Sequence, residues 1–267
     1  MTTHFQVRSG SVQGTNHSKH HINNQDAVQT QEFGVAKHDK TYYTGMISDG
    51  CSGIPAFSRN EVGANLIVTY CQTQIQRLVL TGMKVADIPG SLYPMLVTYL
   101  NIIAQATVAD GTHWPYELDF PANHAFRNKL GATKRFTLDY LAATAAGFID
   151  DGETLVVFRA DDGIMAADDK LFVIDQNNQP DYPALTPGGS FAVDVFVSAE
   201  VNQLCLATDG AKELLEMDEL GLPDAFFSHQ PENPQGLSVL LRNLRKKHGE
   251  KMGDDCTVLT RKRLEVS

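Results

Sequence analysis

The spacing of apolar residues predicts three helices in the chain. Apolar positions recur with a 3.6-residue period over residues 61–80 and 91–109, and a third helical pattern covers about 235–248. Ser91 is a candidate N-cap of the second helix, and Gly249 is a candidate C-cap of the third. The first two patterns are amphipathic, so we expect each of these helices to cover a sheet with one face.

Short apolar segments bounded by turn formers predict strands in much of the remaining chain. Residues 110–137, which contain Trp114-Pro115 and Phe120-Pro121, are expected to be irregular. The predicted strands are 5–7, 33–36, 42–48, 142–149, 154–160, 171–175, 191–197, 203–208 and 257–260. Strands that are neighbours in sequence favour antiparallel pairing, and helices in separate groups favour outer layers. We therefore predict an α+β fold with helices packed outside antiparallel sheets.

The chain is expected to form one domain. Its 267 residues can bury a substantial core, and no flexible linker, repeat or low-complexity tract divides them. No uninterrupted apolar run approaches the roughly 20 residues needed to cross a bilayer. The first residues contain no basic region followed by an apolar stretch, so we expect a cytoplasmic protein.

Charge and cysteine content narrow the range of partners. The formal net charge of −10 argues against nucleic acid or an anionic membrane as the main partner, because both bind basic surfaces. The four cysteines include no Cys-x-x-Cys pair and no histidine at zinc spacing, so we expect neither a disulfide nor a zinc site. An acidic chain can still bind phosphate if metal ions supply the positive charge.

Carboxylates stand repeatedly at the ends of predicted strands. Asp49 and Asp209 each follow an apolar strand and precede glycine, whereas Asp26 and Asp254 each stand before a strand. If these strand ends converge, the carboxylates repel one another, and a cation such as Mg²⁺ or Mn²⁺ is the least costly remedy. Alternatively, each aspartate ends its strand in a separate solvated turn. The spacing alone leaves both interpretations open.

Four motifs resemble those of the type 2C, metal-dependent serine/threonine protein phosphatases. They are Asn24-Gln25-Asp26-Ala27, Ser48-Asp49-Gly50 with Gly53 and Glu61-Val62-Gly63-Ala64, Ala207-Thr208-Asp209-Gly210, and Asp254-Asp255-Cys256-Thr257-Val258. They occur in the order and approximate spacing of that family, from about residue 8 to 261. The resemblance implies a four-layer α-β-β-α sandwich of two antiparallel sheets flanked by helix pairs. It also implies two Mg²⁺ or Mn²⁺ ions in a cleft at one end.

The same resemblance implies a role for each motif residue. Asp49 would bridge the two ions, the Gly50 carbonyl would bind one of them, and Asp209 and Asp254 would hold the other. A hydroxide held between the ions would attack the phosphorus of a phosphorylated protein directly. Cys51 is then a small residue in a tight turn and not a nucleophile. We expect a monomeric enzyme in which Asp26 and Asp49 are the catalytic residues.

Two positions depart from the family pattern. Gln25 stands where many members carry a glutamate that binds or orients waters at the second ion, so Asp26 is expected to take that role. His21 falls near the position of an arginine that grips substrate phosphate, and His21 or His20 could donate to phosphate instead. Both departures motivate a second hypothesis, a catalytically silent binding module with the same sandwich.

Two further features of the resemblance lie in the middle of the chain. Asp162, or alternatively Asp161, would contribute to a third, weaker metal site. Residues of about 168–198 would form a variable flap beside the cleft. An unrelated sandwich hydrolase with an N-terminal nucleophile would need an exposed Thr, Ser or Cys at the start. The chain offers only Thr2 and Thr3 there, with no strand pattern directly after them.

Overall fold

The computed structural model describes residues 4–37, 39–51, 59–109, 131–174, 181–215, 217–229 and 232–264. Gly53, Thr2, Thr3 and the segment 110–130 therefore lie outside the described residues. The strands are β1 His4–Val12, β2 Ala27–Val35, β3 Lys40–Ser48, β4 Ala145–Asp150, β5 Thr154–Ala160, β6 Ile164–Ala167, β7 Lys170–Val173, β8 Ala192–Val197, β9 Gln203–Ala207 and β10 Cys256–Leu264.

The ten strands form two five-stranded antiparallel sheets. The first has the order β1-β10-β9-β6-β7, and the second has the order β2-β3-β4-β5-β8. β1 and β10 pair over nine positions, from His4 opposite Leu264 to Val12 opposite Cys256. This ladder runs through polar residues because the backbone hydrogen bonds of a strand need no apolar side chains. Strands β1, β2 and β10 are therefore longer than the apolar segments that predicted them.

Helices cover the outer face of each sheet. They are α1 Thr15–Lys19, α2 Glu61–Leu80, α3 Ile88–Ala109, α4 Ala132–Phe136, α5 Lys212–Leu215, α6 Asp224–Ser228 and α7 Gly236–Lys247, with a π-helical turn at Thr137–Leu141. Helices α2 and α3 bury Ile67 and Leu96 against the second sheet. Helices α5 to α7 bury Leu214, Phe226 and Leu241 against the first. A third apolar cluster fills the space between the sheets. The expected α-β-β-α layering is confirmed.

The helical segment Val85–Ala109, a short 3₁₀ turn followed by helix α3, is long and apolar enough to cross a membrane by length and composition alone. Its residues Leu92, Leu96 and Leu100 form a buried stripe that packs in the cluster over the second sheet. This stripe, repeated at a spacing of four residues, is the arrangement of a helix that covers a sheet.

Both predicted helix caps are wrong. Helix α3 begins at Ile88, directly after a 3₁₀ turn at Val85–Asp87, so Ser91 lies inside its first turn. Helix α7 ends at Lys247, and His248 is its C-cap. Gly249 instead begins a further 3₁₀ turn. In both places a 3₁₀ turn adjoins the helix end, so the helix does not begin or end at the residue that the sequence suggested as its cap.

Strands occupy both ends of the segment predicted as a flap, 168–198. β7 belongs to the first sheet and β8 to the second, so the described loop between the sheets is limited to residue 174 and residues 181–191. The irregular structure predicted for 131–137 is also wrong, because α4 and the π-helical turn begin there. Phe136 is buried in the cluster over the second sheet, and this contact stabilises the helical turn.

A buried ion pair joins the two sheets. Nε of Arg261 in β10 donates to Oδ2 of Asp150 at 2.7 Å, and its Nη1 donates to the Val201 carbonyl at 2.6 Å. Neither charged side chain is exposed. Burying the two charges has a desolvation cost, and the hydrogen bonds to the guanidinium nitrogens offset part of that cost. Asp150 is the last residue of β4, so this pair lies at the end of the sandwich opposite the start of that strand.

Candidate metal centre

The strand register brings the predicted site carboxylates to one end of the sandwich. Ala27 pairs with Ser48, so Asp26 and Asp49 are neighbours across the end of the second sheet. Val258 pairs with Ala207 in the first sheet, which places the Asp254-Asp255 doublet near Asp209. Asp49 forms side-chain hydrogen bonds with Asp26 and Asp209 and interacts electrostatically with Asp254. The aspartates therefore converge, as the first of the two interpretations required.

The turn that carries Asp49 is fixed by its neighbours. The Asp49 amide donates to Oγ1 of Thr144 at 2.9 Å, and the Thr144 amide donates to the Asp49 carbonyl at 2.8 Å. A Cβ atom on Gly50 would lie 2.8 Å from the Gln25 carbonyl oxygen. Only glycine therefore allows this turn to approach the loop before β2 so closely.

Burial and mutual repulsion raise the pKa values of the clustered carboxyl groups. Burial, followed by the charge of Asp255, raises the pKa of Asp26 to about 8. The pKa of Asp49 is well above its usual range, because of burial and then the charges of Asp26, Asp209 and Asp254. Asp254 is partly exposed, and its partial desolvation also raises its pKa. Each of these carboxyl groups holds its proton more tightly than in water, and a cation would relieve the same repulsion.

Several carboxylate oxygens in the cluster are buried without a donor. Within the described residues, Oδ1 of Asp26, Oδ1 of Asp161 and Oδ1 of Asp209 have no hydrogen-bond partner. Buried polar atoms are nearly always satisfied, so the unpaired oxygens of these neighbouring carboxyl groups are suited to binding a cation. Carboxylate oxygens are the donors that Mg²⁺ and Mn²⁺ prefer. The residues at this end of the sandwich therefore fit a centre of hard divalent cations.

Solved structures identify the fold that holds this cluster. Serine/threonine phosphatase Stp1 from Staphylococcus aureus aligns with a TM-score of 0.62 at 12% identity, over 100% of this chain and 97% of its own. The catalytic domain of serine threonine protein phosphatase PstP, solved in complex with two manganese ions, aligns with a TM-score of 0.59 at 12% identity, over 99% of this chain and 100% of its own. The PP2C phosphatase domain of SpoIIE from Bacillus subtilis, solved with a fragment of its regulatory domain, aligns with a TM-score of 0.52 at 13% identity, over 100% of this chain and 65% of that chain.

The chain has the fold of the type 2C phosphatases. No protein-family model and no curated protein sequence matches it. The resemblance carried by the four motifs is therefore confirmed by the fold of the described residues. Sequence identities of 12–13% show the fold alone. The roles of single residues are therefore inferred from the geometry of the site in this chain.

The carboxylate cluster is bordered by two residues to which the sequence assigned no role. The buried carboxylate of Asp255 accepts the amide of Gly14 at 2.6 Å and the amide of Gln25 at 2.5 Å. His17, buried in α1, places Nδ1 2.8 Å from Oδ2 of Asp255. That contact raises the pKa of His17, against the lowering effect of burial. Asp255, which follows Asp254 in the chain, thus contacts Gly14, His17 and Gln25. The only signal for His17 in the sequence is the run of polar residues between Gly14 and Ile22.

Asn60 and Tyr182 also border the cleft. Buried Asn60, just before α2, donates from Nδ2 to the Cys51 carbonyl at 2.6 Å, which holds the residue two positions after Asp49. The Tyr182 hydroxyl forms a hydrogen bond with the Cys51 side chain. Burial raises the pKa of Tyr182, and this hydrogen bond and the charges of Asp49 and Asp162 add to the effect. The loop between β7 and β8 therefore reaches the mouth of the carboxylate cluster.

The two candidates for the third metal site have different surroundings. Burial raises the pKa of Asp161 to about 7, and the charges of Asp162 and Asp209 add to this effect. Asp162 is also buried and interacts with Tyr182. Asp161 therefore lies close enough to Asp209 to respond to its charge. The third metal site stays a prediction, with Asp162, or alternatively Asp161, as its ligand.

His21 differs from the carboxylates in its surroundings. It follows α1 with a φ of 56°, and its side chain is exposed. Among the described residues, no hydrogen bond or ion pair links His21 to Asp26, Asp49 or Asp209. The carboxylate cluster is assembled without it, and its role in binding phosphate stays a prediction.

Proposed function

We propose that the protein is a metal-dependent phosphatase that hydrolyses phosphoserine and phosphothreonine in other proteins. The observation that supports this most strongly is the convergence of Asp26, Asp49, Asp209 and Asp254, in which buried oxygens of Asp26 and Asp209 lack donors. A phosphate monoester carries a charge of about −1.5 to −2 at neutral pH and is repelled by such a cluster. Bound cations remove this repulsion, so the site is suited to phosphate only when it is loaded.

The chain's residues divide the work of holding the ions and the substrate. Asp49, Asp209, Asp254 and the Gly50 carbonyl would hold two Mg²⁺ or Mn²⁺ ions. Such a pair neutralises phosphoryl oxygens and lowers the pKa of a bound water. Oγ1 of Thr208 donates to Oδ2 of Asp26 at 2.8 Å, which orients that carboxylate beside Asp49. Asp161 or Asp162 would hold a third ion.

The substrate is expected to meet the exposed rim of this site. His21 or His20 would donate to its phosphate, and the loop that carries Tyr182 would contact the protein around the phosphorylated residue. Loops at the mouth of a site commonly select substrates. The cytoplasmic location and the monomeric state expected from the sequence remain part of the proposal.

Hydrolysis of p-nitrophenyl phosphate and of a phosphothreonine peptide, measured with Mn²⁺, with Mg²⁺ and with EDTA, tests this proposal. We expect turnover with metal and none with chelator. Asp49→Asn should reduce turnover at saturating Mn²⁺ by at least about 100-fold, since the loss of a residue that only orients a metal ligand already costs about 10–100-fold. Asp169→Asn, at an exposed carboxylate in the β6–β7 turn, is the matched control and should keep normal turnover. Equal rates with and without EDTA would exclude a metal-dependent reaction.

A catalytically silent binding module is the second candidate. It is favoured by the neutral amide of Gln25 and by histidine in place of arginine at position 21. The same experiment separates the two candidates when melting temperature is measured in parallel. Stabilisation by Mn²⁺ that is lost in Asp49→Asn, without turnover of either substrate, would favour the silent module.

A further inference from the structure

The imidazole of His17 lies between two carboxylates at the edge of the cluster. Its Nδ1 is 2.8 Å from Oδ2 of Asp255, and its Nε2 is 3.6 Å from Oδ1 of Asp254. One ligand atom from each of these three residues can be chosen so that all lie within 4.8 Å of one another. His17 is only 5% exposed, so the ring faces the protein interior and this cluster.

Asp255 is held in place by the backbone. It is 2% exposed, and its two oxygens accept the amides of Gly14 and Gln25. A carboxylate beside Nδ1 of a histidine favours the tautomer that leaves a lone pair on Nε2, and this is the usual arrangement behind metal-binding histidines. Asp255 is therefore placed to orient His17.

The His17 ring is close to this orientation but is not locked in it. Nδ1 has no aligned hydrogen bond among the described residues, although Oδ2 of Asp255 is near. Buried, incompletely satisfied imidazole nitrogens are unusual in folded proteins. A ligand on Nε2 would fix the ring and allow Nδ1 to donate to Asp255.

The distance from Nε2 of His17 to Asp254 matches the distance between two ligands of one metal ion. Two ligands at about 2.1 Å from one metal ion, with an angle of 90–120° between them, lie about 3.0–3.6 Å apart. Nε2 of His17 and Oδ1 of Asp254 are 3.6 Å apart. The Asp254 side chain is 46% exposed, so an ion can reach this position from solvent.

We propose that His17 is a nitrogen ligand of the ion held by Asp209 and Asp254, with Asp255 as the carboxylate that orients it. The inference rests on the metal centre of the proposed function but not on turnover. Sites with oxygen ligands only suit Mg²⁺, whereas imidazole favours transition metals. The site should therefore prefer Mn²⁺ over Mg²⁺ more strongly than it would with oxygen ligands alone.

Electron spin-echo envelope modulation of Mn²⁺ bound to the whole chain tests this ligand directly, without substrate. We expect a directly bound nitrogen in the wild-type protein, and we expect its coupling to change when histidine is labelled with ¹⁵N. His17→Gln should remove this coupling and lower Mn²⁺ affinity by about tenfold or more, with a smaller effect on Mg²⁺ affinity. His20→Gln is the matched control at an exposed histidine of the same segment, and it should keep the coupling.

The possible outcomes separate the His17 ligand from the metal centre itself. Mn²⁺ that binds to the labelled wild-type protein without a histidine coupling would overturn the His17 inference and leave the metal centre intact. A coupling that persists in His17→Gln or disappears in His20→Gln would overturn it as well. A chain that binds no Mn²⁺ would refute the metal centre of the proposed function. The labelled wild-type measurement decides the matter even if His17→Gln does not fold.

Discussion

Replacing Asp26 by asparagine should stabilise the metal-free protein at neutral pH. The Asp26 carboxyl group is 7% exposed, accepts the Thr208 hydroxyl at 2.8 Å and shares a hydrogen bond with Asp49. An asparagine of the same shape can accept from Thr208 through its carbonyl and donate to Asp49 through its amide. It therefore keeps the contacts and removes one buried charge.

The size of the effect follows from the pKa of Asp26, which is about 8 in the fold and about 3.9 in an unfolded chain. A carboxyl group whose pKa is raised by folding contributes most stability below its unfolded pKa, and that contribution is lost as the pH rises to the folded pKa. Over this window the free energy of unfolding falls by about 1.36 kcal/mol per pH unit for one group, or about 2.7 kcal/mol from pH 5 to pH 7. For a chain of this size that corresponds to a fall of about 5–10 °C in melting temperature.

Thermal melts of both proteins in EDTA, between pH 5 and pH 8, measure the difference. The advantage of Asp26→Asn should be smallest at pH 5 and should grow steadily toward pH 8, because the variant has no proton to lose at this position. With saturating Mn²⁺ the order should reverse, since bound cations replace the proton in the wild-type protein and the variant lacks one carboxylate. Asp169→Asn controls for the loss of one acidic residue at an exposed position.

Parallel melting curves would refute this reasoning. If the difference between Asp26→Asn and the wild-type protein is constant from pH 5 to pH 8, Asp26 does not titrate with a raised pKa. A variant that is less stable at every pH would mean that its hydrogen bonds matter more than its charge. The first result would also contradict the repulsion among the clustered carboxyl groups that favours a metal centre.

Two further predictions concern the ion pair and the second metal ion. Asp150→Ala leaves the Arg261 charge buried without its partner and should lower the free energy of unfolding by about 3–5 kcal/mol in denaturant titrations. The double variant Asp150→Leu/Arg261→Met should recover most of that loss, and a double variant no more stable than the single one would contradict this account. Gln25→Glu adds a carboxylate at a position 1% exposed, so it should lower the melting temperature in EDTA and lower the Mn²⁺ concentration for half-maximal turnover. An unchanged Mn²⁺ requirement would place Gln25 away from the ion.

Local patterns along the sequence were sufficient for much of the fold. The 3.6-residue period predicted α2 with the bounds Glu61–Leu80 that the structure has, and the apolar run at 154–160 coincides with β5. These elements bury one face of a helix or a central strand, so side-chain polarity along the chain records burial directly. The Asp-Gly dipeptides after β3 and β9 could also be identified from the sequence, because the apolar pattern of a strand stops where the strand ends at a cleft.

Elements whose stability comes from distant partners were not predictable in this way. The four-residue strand β6 carries no distinctive pattern, and its place is set by pairing with β7 and β9. Helix α4 forms where its sequence favoured irregular structure, because Phe136 packs over the second sheet. A short segment has too few residues for periodicity to outweigh tertiary contacts.

The same distinction applies to the candidate site, in which some residues follow local sequence patterns and others are placed by distant contacts. The sequence by itself determined which aspartates stand at strand ends, and with the family resemblance it predicted the site residues Asp26, Asp49, Asp209 and Asp254. Only the tertiary structure decided that the Asp161 carboxyl group is buried where it responds to the charge of Asp209, and that His17 meets Asp255. Gly14 and Asp255 are 241 positions apart in the chain. No local pattern encodes such a pair, because the pairing of β1 with β10 brings the two residues together only after the first sheet has formed.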